Sequence, residues 1–378
     1  MTLFNLPDYL DWPAQFCLLS TGLTWIASLI TSNVSQVDRL WTFLPTIYTA
    51  YYALLPLLPN SQPFLFAPYA PKTLGWSAVK DFSPRALLMF TLITIWMCRL
   101  SYNTYRRGLF SLKDEDYRWA VLRKQLPPWL FQITNLTFIS GIQNVLLLLL
   151  GLPTYIASSQ PHTALTATDY QLAFVALAIL TFEFTADNQQ YAFHAYKHAY
   201  LAKEKGSKNV KPYDPKEQWP GARLAWSPND AKRGFITRGL WRYSRHPNFA
   251  CEQSFWWLIT LFPLVSPSSP ISKLSSPSSI FDALVNQDLN KLRTILLPLL
   301  WYFMPAIALS ILFFSSTLYT EQITSSKYEA YTAYQRRVGM FKPFDTLLKA
   351  LKLNLLDGAS EARVVEEKVW GASHAKAE

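Results

Sequence analysis

Long apolar stretches recur near residues 14–31, 40–59, 86–101, 133–157, 168–186, 253–268 and 294–316, separated by polar segments. Each is about long enough to cross a hydrocarbon core of roughly 30 Å as a helix. The pattern predicts an all-α, polytopic membrane protein with about seven transmembrane helices, because a helix satisfies its own backbone in lipid. Prolines interrupt the second and sixth stretches. Residues 61–84 and 266–292 read as loops. The second carries Ser-Pro-Ser-Ser-Pro and Ser-Ser-Pro-Ser-Ser runs and is expected to be a flexible lumenal excursion. Residues 1–352 are expected to form a single transmembrane domain, and 353–378 a mobile cytosolic tail with few large apolar residues.

Charge supplies an orientation. Only 16% of the 378 residues are charged, against about 25% in soluble domains. The basic ones are unevenly placed: none precedes Arg39 and none falls in 158–169, whereas 102–128 carries six, 197–245 twelve and the segment after 319 nine. These counts alternate as seven crossings require, which puts the C-terminus in the cytosol and suits the endoplasmic reticulum membrane. The net charge of +10 is then explained by loops facing anionic lipid, and a nucleic-acid partner is disfavoured. The sequons at Asn33 and Asn135 fall on the cytosolic side and are expected to be silent. Three unpaired cysteines and five histidines offer no disulfide framework, zinc set or histidine-rich iron site, so no metal is expected.

Candidate chemistry gathers on the cytosolic side. Arg242, Tyr243, Arg245, His246, Asn248 and Glu252 lie within eleven residues, directly before an apolar stretch. Arginine forks suit phosphate oxygens. A basic membrane anchor explains the two arginines alone but not a carboxylate entering a span, where it is costly and normally has a functional partner. Arg99, Asn103 and Arg106 share one helix face at 100° per residue, with Arg107 beside them; Arg106 and Arg107 alone also suit a positive-inside flank. Glu183, Asp187, Gln190, His194 and Lys197, spaced four, three, four and three apart, form a polar stripe that must face protein or water. Past the last stretch come Glu321, Tyr328, Tyr331 and Tyr334; the last two also suit an interfacial aromatic belt. Asp38 opens the second stretch, where it either pairs with Arg39 or acts as an acid. Gly-rich phosphate loops and a Rossmann fingerprint are missing, so a nucleotide would be held by side chains between helices.

Together, Val37-Asp38-Arg39-Leu40-Trp41, Arg99-Leu100-Ser101-Tyr102-Asn103, Asp116-Tyr117-Arg118-Trp119, Asp187-Asn188-Gln189-Gln190, the Gly239–Glu252 block and Lys327-Tyr328 with Tyr331 and Tyr334 resemble the family called domain of unknown function 1295. The resemblance covers roughly residues 30–345. That family is grouped with the steroid 5-alpha-reductase C-terminal domain, sterol reductases and isoprenylcysteine methyltransferases. It implies a steroid 5-alpha-reductase-like fold and an NADPH-dependent reduction of a carbon–carbon double bond in a lipid or steroid-like substrate. Arg99 and Arg107 would approach the cofactor phosphates, and Asp187 and Asn248 would orient adenosine or nicotinamide, with Tyr243 and Glu252 lining the same cavity. Asn103, Gln190, Arg242, Arg245, His246, Glu321 and Tyr328 complete the expected cofactor set. Asp38 and Glu252 are the candidate acids. An S-adenosylmethionine-dependent lipid or prenylcysteine methyltransferase is the first rival, since it shares the Arg-His-Pro-Asn block, and a non-catalytic lipid-binding protein is the second.

Overall fold

A computed structural model describes residues 6–207, 210–266, 269 and 277–371. Among these there is no strand. The principal helices in chain order are α1 (Asp8–Thr31), α2 (Gln36–Leu40), α3 (Leu44–Ala53), α4 (Pro84–Arg106), α5 (Tyr117–Gln125), α6 (Pro128–Ser159), α7 (Ala167–Glu204), α8 (Pro247–Leu261), α9 (Leu289–Lys327), α10 (Tyr331–Arg337), α11 (Pro343–Lys352) and α12 (Ala359–Trp370). Five of them, α1, α4, α6, α7 and α9, are long and apolar enough to cross a membrane. The two proline-interrupted stretches give shorter helices. α3 has 10 residues, with Pro45 in its first turn, and α8 has 15. Residues 267, 268 and 270–276 of the expected Ser-Pro excursion lie outside the described residues, as do residues 372–378; its remainder is largely helical, at Pro277–Val285 and from Leu289 onward, where a loop was expected.

The chain divides into two compact units, Met1–Leu177 with Trp256–Ser310, and Ala178–Phe255 with Ile311–Glu378, where one domain over 1–352 was expected.

In the first unit, α1 turns its polar side inward. Ser20, Thr24 and Ser28 are buried, while Leu18, Leu23, Ile26 and Ile30 are exposed. Asn135 Nδ2 donates to Ser28 Oγ at 2.8 Å, and Asn144 Nδ2 to Thr24 Oγ1 at 3.3 Å. Apolar residues outside and hydroxyls inside reverse the soluble arrangement and suit a lipid surround, where polar side chains join helices. Asn135 begins a π-helical segment, Asn135–Ile142, within α6. The end of α3 returns to the start of α1: Tyr52 Oη donates to the Tyr9 carbonyl at 2.8 Å, and Trp12 Nε1 to the Phe66 carbonyl at 2.9 Å. α3 also presses closely on α6, since a Cβ on Gly151 would stand 2.6 Å from Tyr48 Cβ. At the start of α4, Ser83 caps the first turn, and Arg85 forms a buried pair with Asp169 at 2.7 and 2.9 Å.

The second unit is polar at its centre and closed by the C-terminal helices. α12 buries Val365, Val369 and Trp370 in a cluster with Phe235, Tyr331 and Tyr334. Trp370 Nε1 donates to the Thr237 carbonyl at 3.1 Å. This corrects the expectation of a mobile tail for 359–370. A short apolar repeat at Ala362, Val365 and Val369 gives the helix one packing face, and sparse large residues are enough to seat it.

Candidate functional site

In the first unit, two of the sequence motifs meet. Ser35 Oγ accepts from the Asp116 amide at 3.0 Å, and Trp119 Nε1 donates to Asp38 Oδ2 at 2.9 Å. Arg39 donates to the Ser111 and Asp114 carbonyls at 2.6 and 2.7 Å, so it holds the loop before α5 rather than pairing with Asp38 through a salt bridge. Asp116 caps α5 and chelates Arg118 at 2.9 and 2.8 Å.

The two carboxylates are driven apart. Burial, followed by the negative charge of Asp116, raises the Asp38 carboxyl above its ordinary value. Burial would also raise Asp116, but the Arg118 guanidinium, with a contribution from the Arg107 charge, outweighs it and holds Asp116 below the usual range. The directions differ because Asp116 has a guanidinium partner and Asp38 an indole N–H.

The other predicted residues of this unit lie at the end of α4. Arg99 and Asn103 are buried on one face, as the spacing predicts. Asn103 Oδ1 accepts from Arg106 Nε and Nη2 at 3.0 and 2.9 Å. Arg107 follows the helix and is exposed.

In the second unit, the middle of α7 clasps the Gly239–Glu252 block at three points. Trp241 Nε1 donates to the Ala186 carbonyl at 3.2 Å. Asn248 Nδ2 donates to Asp187 Oδ1 at 3.1 Å. Gln189 Oε1 accepts from the Leu240 amide at 2.9 Å, while its Nε2 donates to the Gly221 carbonyl at 2.9 Å. Gly239 adopts φ +64°, and a Cβ there would stand 2.5 Å from Gln189 Oε1, so a glycine is required for the approach. Asp187 and Glu252 are buried, Asn248 and Arg242 half-buried, and Tyr243 exposed. Gln190, expected alongside Asp187 to bind from this helix, takes no part in the clasp. Gln189 does, and sequence reasoning passed over it. The signal was available in Gly239, whose side-chain-free backbone invites a close neighbour.

Three other expected cofactor residues are turned toward protein. Arg245 Nε and Nη2 donate to Glu321 at 2.7 and 2.9 Å, and its Nη1 donates to the Val338 carbonyl. Glu321 also accepts from His246 Nε2 at 2.9 Å, Gln335 Nε2 at 2.9 Å and Tyr331 Oη at 3.3 Å. A carboxylate with five donors has its lone pairs filled. Arg245, His246 and Glu321 are therefore corrected from cofactor ligands to the knot that ties α9 and α10 to the Arg-His-Pro-Asn block. Burial depresses His246 below its ordinary value despite the Glu321 carboxylate, which favours the neutral ring. Tyr328 also packs against protein through its ring. Its ring lies where a Cβ on Gly234 would be, 2.2 Å from Cε1, and it packs beside Phe235.

An uncharacterized protein of Schizosaccharomyces pombe is 31% identical over 323 residues, covering 85% of this chain and 76% of the relative. No solved structure matches. Residues 24–338 match the family described as protein of unknown function DUF1295, a span that contains every candidate site residue from Asp38 to Tyr328, and the chain belongs to that family.

Proposed function

We propose that this protein is a membrane-embedded, NADPH-dependent reductase of a carbon–carbon double bond in a lipid or steroid-like substrate, resident in the endoplasmic reticulum with a cytosolic C-terminus. The fold in this reading is steroid 5-alpha-reductase-like, with seven crossings. Five are the long helices. The stretch Leu44–Leu57 is the second, because Asn33 and Arg39 bond to residues 111–114 beyond the end of α4 while Tyr52 bonds back to Tyr9. α8 begins the sixth. The residues after it reach Gln160 and Arg85, through Gln160 Nε2 to the Pro263 carbonyl at 2.7 Å and Arg85 Nη1 to Ser266 at 3.1 Å. Seven crossings place the three basic segments on one side, which five do not.

The observation that carries the reading is the Asp187–Asn248 pair, held by the clasp of α7 on the Arg-His-Pro-Asn block. A carboxylate and a carboxamide side by side provide the acceptor and donor that a nicotinamide amide or an adenine edge requires. Arg242, which is half-buried and carries a fork of donors, suits a phosphate. The donor set fits a dinucleotide, and Arg245 is excluded from it by its engagement with Glu321. NADPH bound there would supply a hydride to the β-carbon of an activated alkene. The proton that completes the reduction at the α-carbon is assigned to Glu252, a carboxyl buried in the same unit as the Asp187–Asn248 pair.

Equilibrium binding to the full-length protein in detergent tests the assignment. Saturable NADPH binding that is lost in Asn248→Ala supports the reductase. Preferential binding of S-adenosylmethionine points to a methyltransferase, and binding of neither removes the enzymatic reading.

A further inference from the structure

α11 is built the wrong way round for a water-soluble surface. Phe344, Leu347, Leu348 and Leu351 are exposed at 64, 55, 47 and 47%, followed by Leu355 and Leu356 at 78 and 75% in the continuing π-helical turn. At 100° per residue the four helical positions occupy one face. The opposite face is polar and turned inward. Thr346 is buried; its hydroxyl donates to the Tyr243 carbonyl at 2.6 Å and accepts from the Gly339 amide at 2.7 Å. Lys349 Nζ donates to the Gln335 carbonyl at 2.5 Å. The helix is thus fastened by its hydrophilic side and presents its hydrophobic side outward.

We infer that α11 is an interfacial helix whose apolar face lies in the lipid of the leaflet from which α9 emerges, and that the bilayer surface is its partner. Only the short α10 segment separates it from the end of α9 at Lys327, so the chain delivers it to the membrane boundary. Exposed Lys342 and Lys352 stand at its two ends, matching anionic headgroups on either side of a buried apolar strip. An apolar face of this kind left in water would be a liability for aggregation. The Thr346 bridge carries the consequence to the candidate site, since it anchors the Tyr243 backbone within the Arg-Tyr-Ser-Arg-His-Pro-Asn block. α11 holds that block at the membrane surface whatever ligand the block takes.

Full-length protein in nanodiscs tests this, with Cys17, Cys98 and Cys251 replaced by serine and a bimane label on Leu348→Cys or on Ser360→Cys. Lipids brominated on their acyl chains are expected to quench the label at 348 several-fold more than at 360, and aqueous iodide to do the reverse. Iodide reaching both sites equally overturns the inference. A label at 348 shielded from iodide yet untouched by brominated lipid also overturns it, because a protein surface such as a second copy would then cover the face. Hydrogen exchange on the chain with its own cysteines is a second measurement. Amides of 343–356 should exchange several-fold more slowly in phosphatidylserine nanodiscs than in phosphatidylcholine alone, with the difference removed by Lys342→Glu/Lys352→Glu. Equal rates in the two lipids overturn the lysine anchor.

Discussion

The Arg245 guanidinium holds the Glu321 carboxylate through two buried hydrogen bonds of 2.7 and 2.9 Å, and the two residues come from distant parts of the chain. Both side chains are 4% exposed. Removing one partner leaves a charge buried without compensation, a loss of about 3–5 kcal/mol. Glu321→Ala is expected to lower the midpoint of thermal unfolding in detergent by far more than Glu329→Ala, an acidic change made elsewhere in the second unit. Equal midpoints would show that the pair does not bear on stability.

His246 shares that carboxylate and gives the unit a pH dependence. Its folded value lies below the ordinary histidine value because of burial, so folding favours the neutral ring. The stability this contributes is present above the ordinary value near 6.5 and is lost as pH falls through the depressed folded value. His246→Gln keeps a donor for Glu321 without a titrating group. Acidification should therefore lower the unfolding midpoint of the unaltered protein more steeply than that of the variant, and parallel curves would reject histidine as the titrating group.

Asp38 and Asp116 should titrate in a fixed order. On acidification Asp38 takes its proton first, because burial and Asp116 raise it, while Arg118 holds Asp116 down. Infrared titration of the carboxylic acid stretch can resolve the two. The component missing in Asp38→Asn is expected at higher pH than the one missing in Asp116→Asn. The reverse order would mean that Arg118 does not hold Asp116 down.

Gly234 adopts φ +89°, with the Tyr328 ring in the space a side chain would need. Gly234→Ala carries the left-handed penalty of about 1–2 kcal/mol and adds a collision with the ring. Adding Tyr328→Ala should recover the collision part alone, measured as a thermodynamic coupling between the two substitutions. Strict additivity would mean that the ring moves aside without cost.

Legibility in the sequence followed the range of the forces involved. Periodicity and charge are local, so the long helices, the buried faces of Arg99 and Asn103, and the polar side of α7 could all be read from spacing. The family resemblance put Asp187 and Asn248 together, whereas residue type alone left them in separate polar clusters. Residue type failed where a side chain's partner lies far along the chain. Arg245 and Glu321 look like ligands when each is considered alone, because nothing in either local segment announces the other. Gln189 and Gln190 are equivalent by composition, and only the position of the Gly239 backbone selects the first.

By itself the sequence determined that the chain is a helical membrane protein, because apolar length and basic flanks are set residue by residue by the solvent on either side. It also determined the motifs that mark the family. Tertiary structure decided which polar groups are consumed in holding helices together and which are left available for chemistry. It also decided that α11 turns its leucines outward and that α12 is packed rather than loose. The reason is geometric: a hydrogen-bond donor can satisfy a neighbour or a ligand, and its choice depends on what the fold brings within about 3 Å.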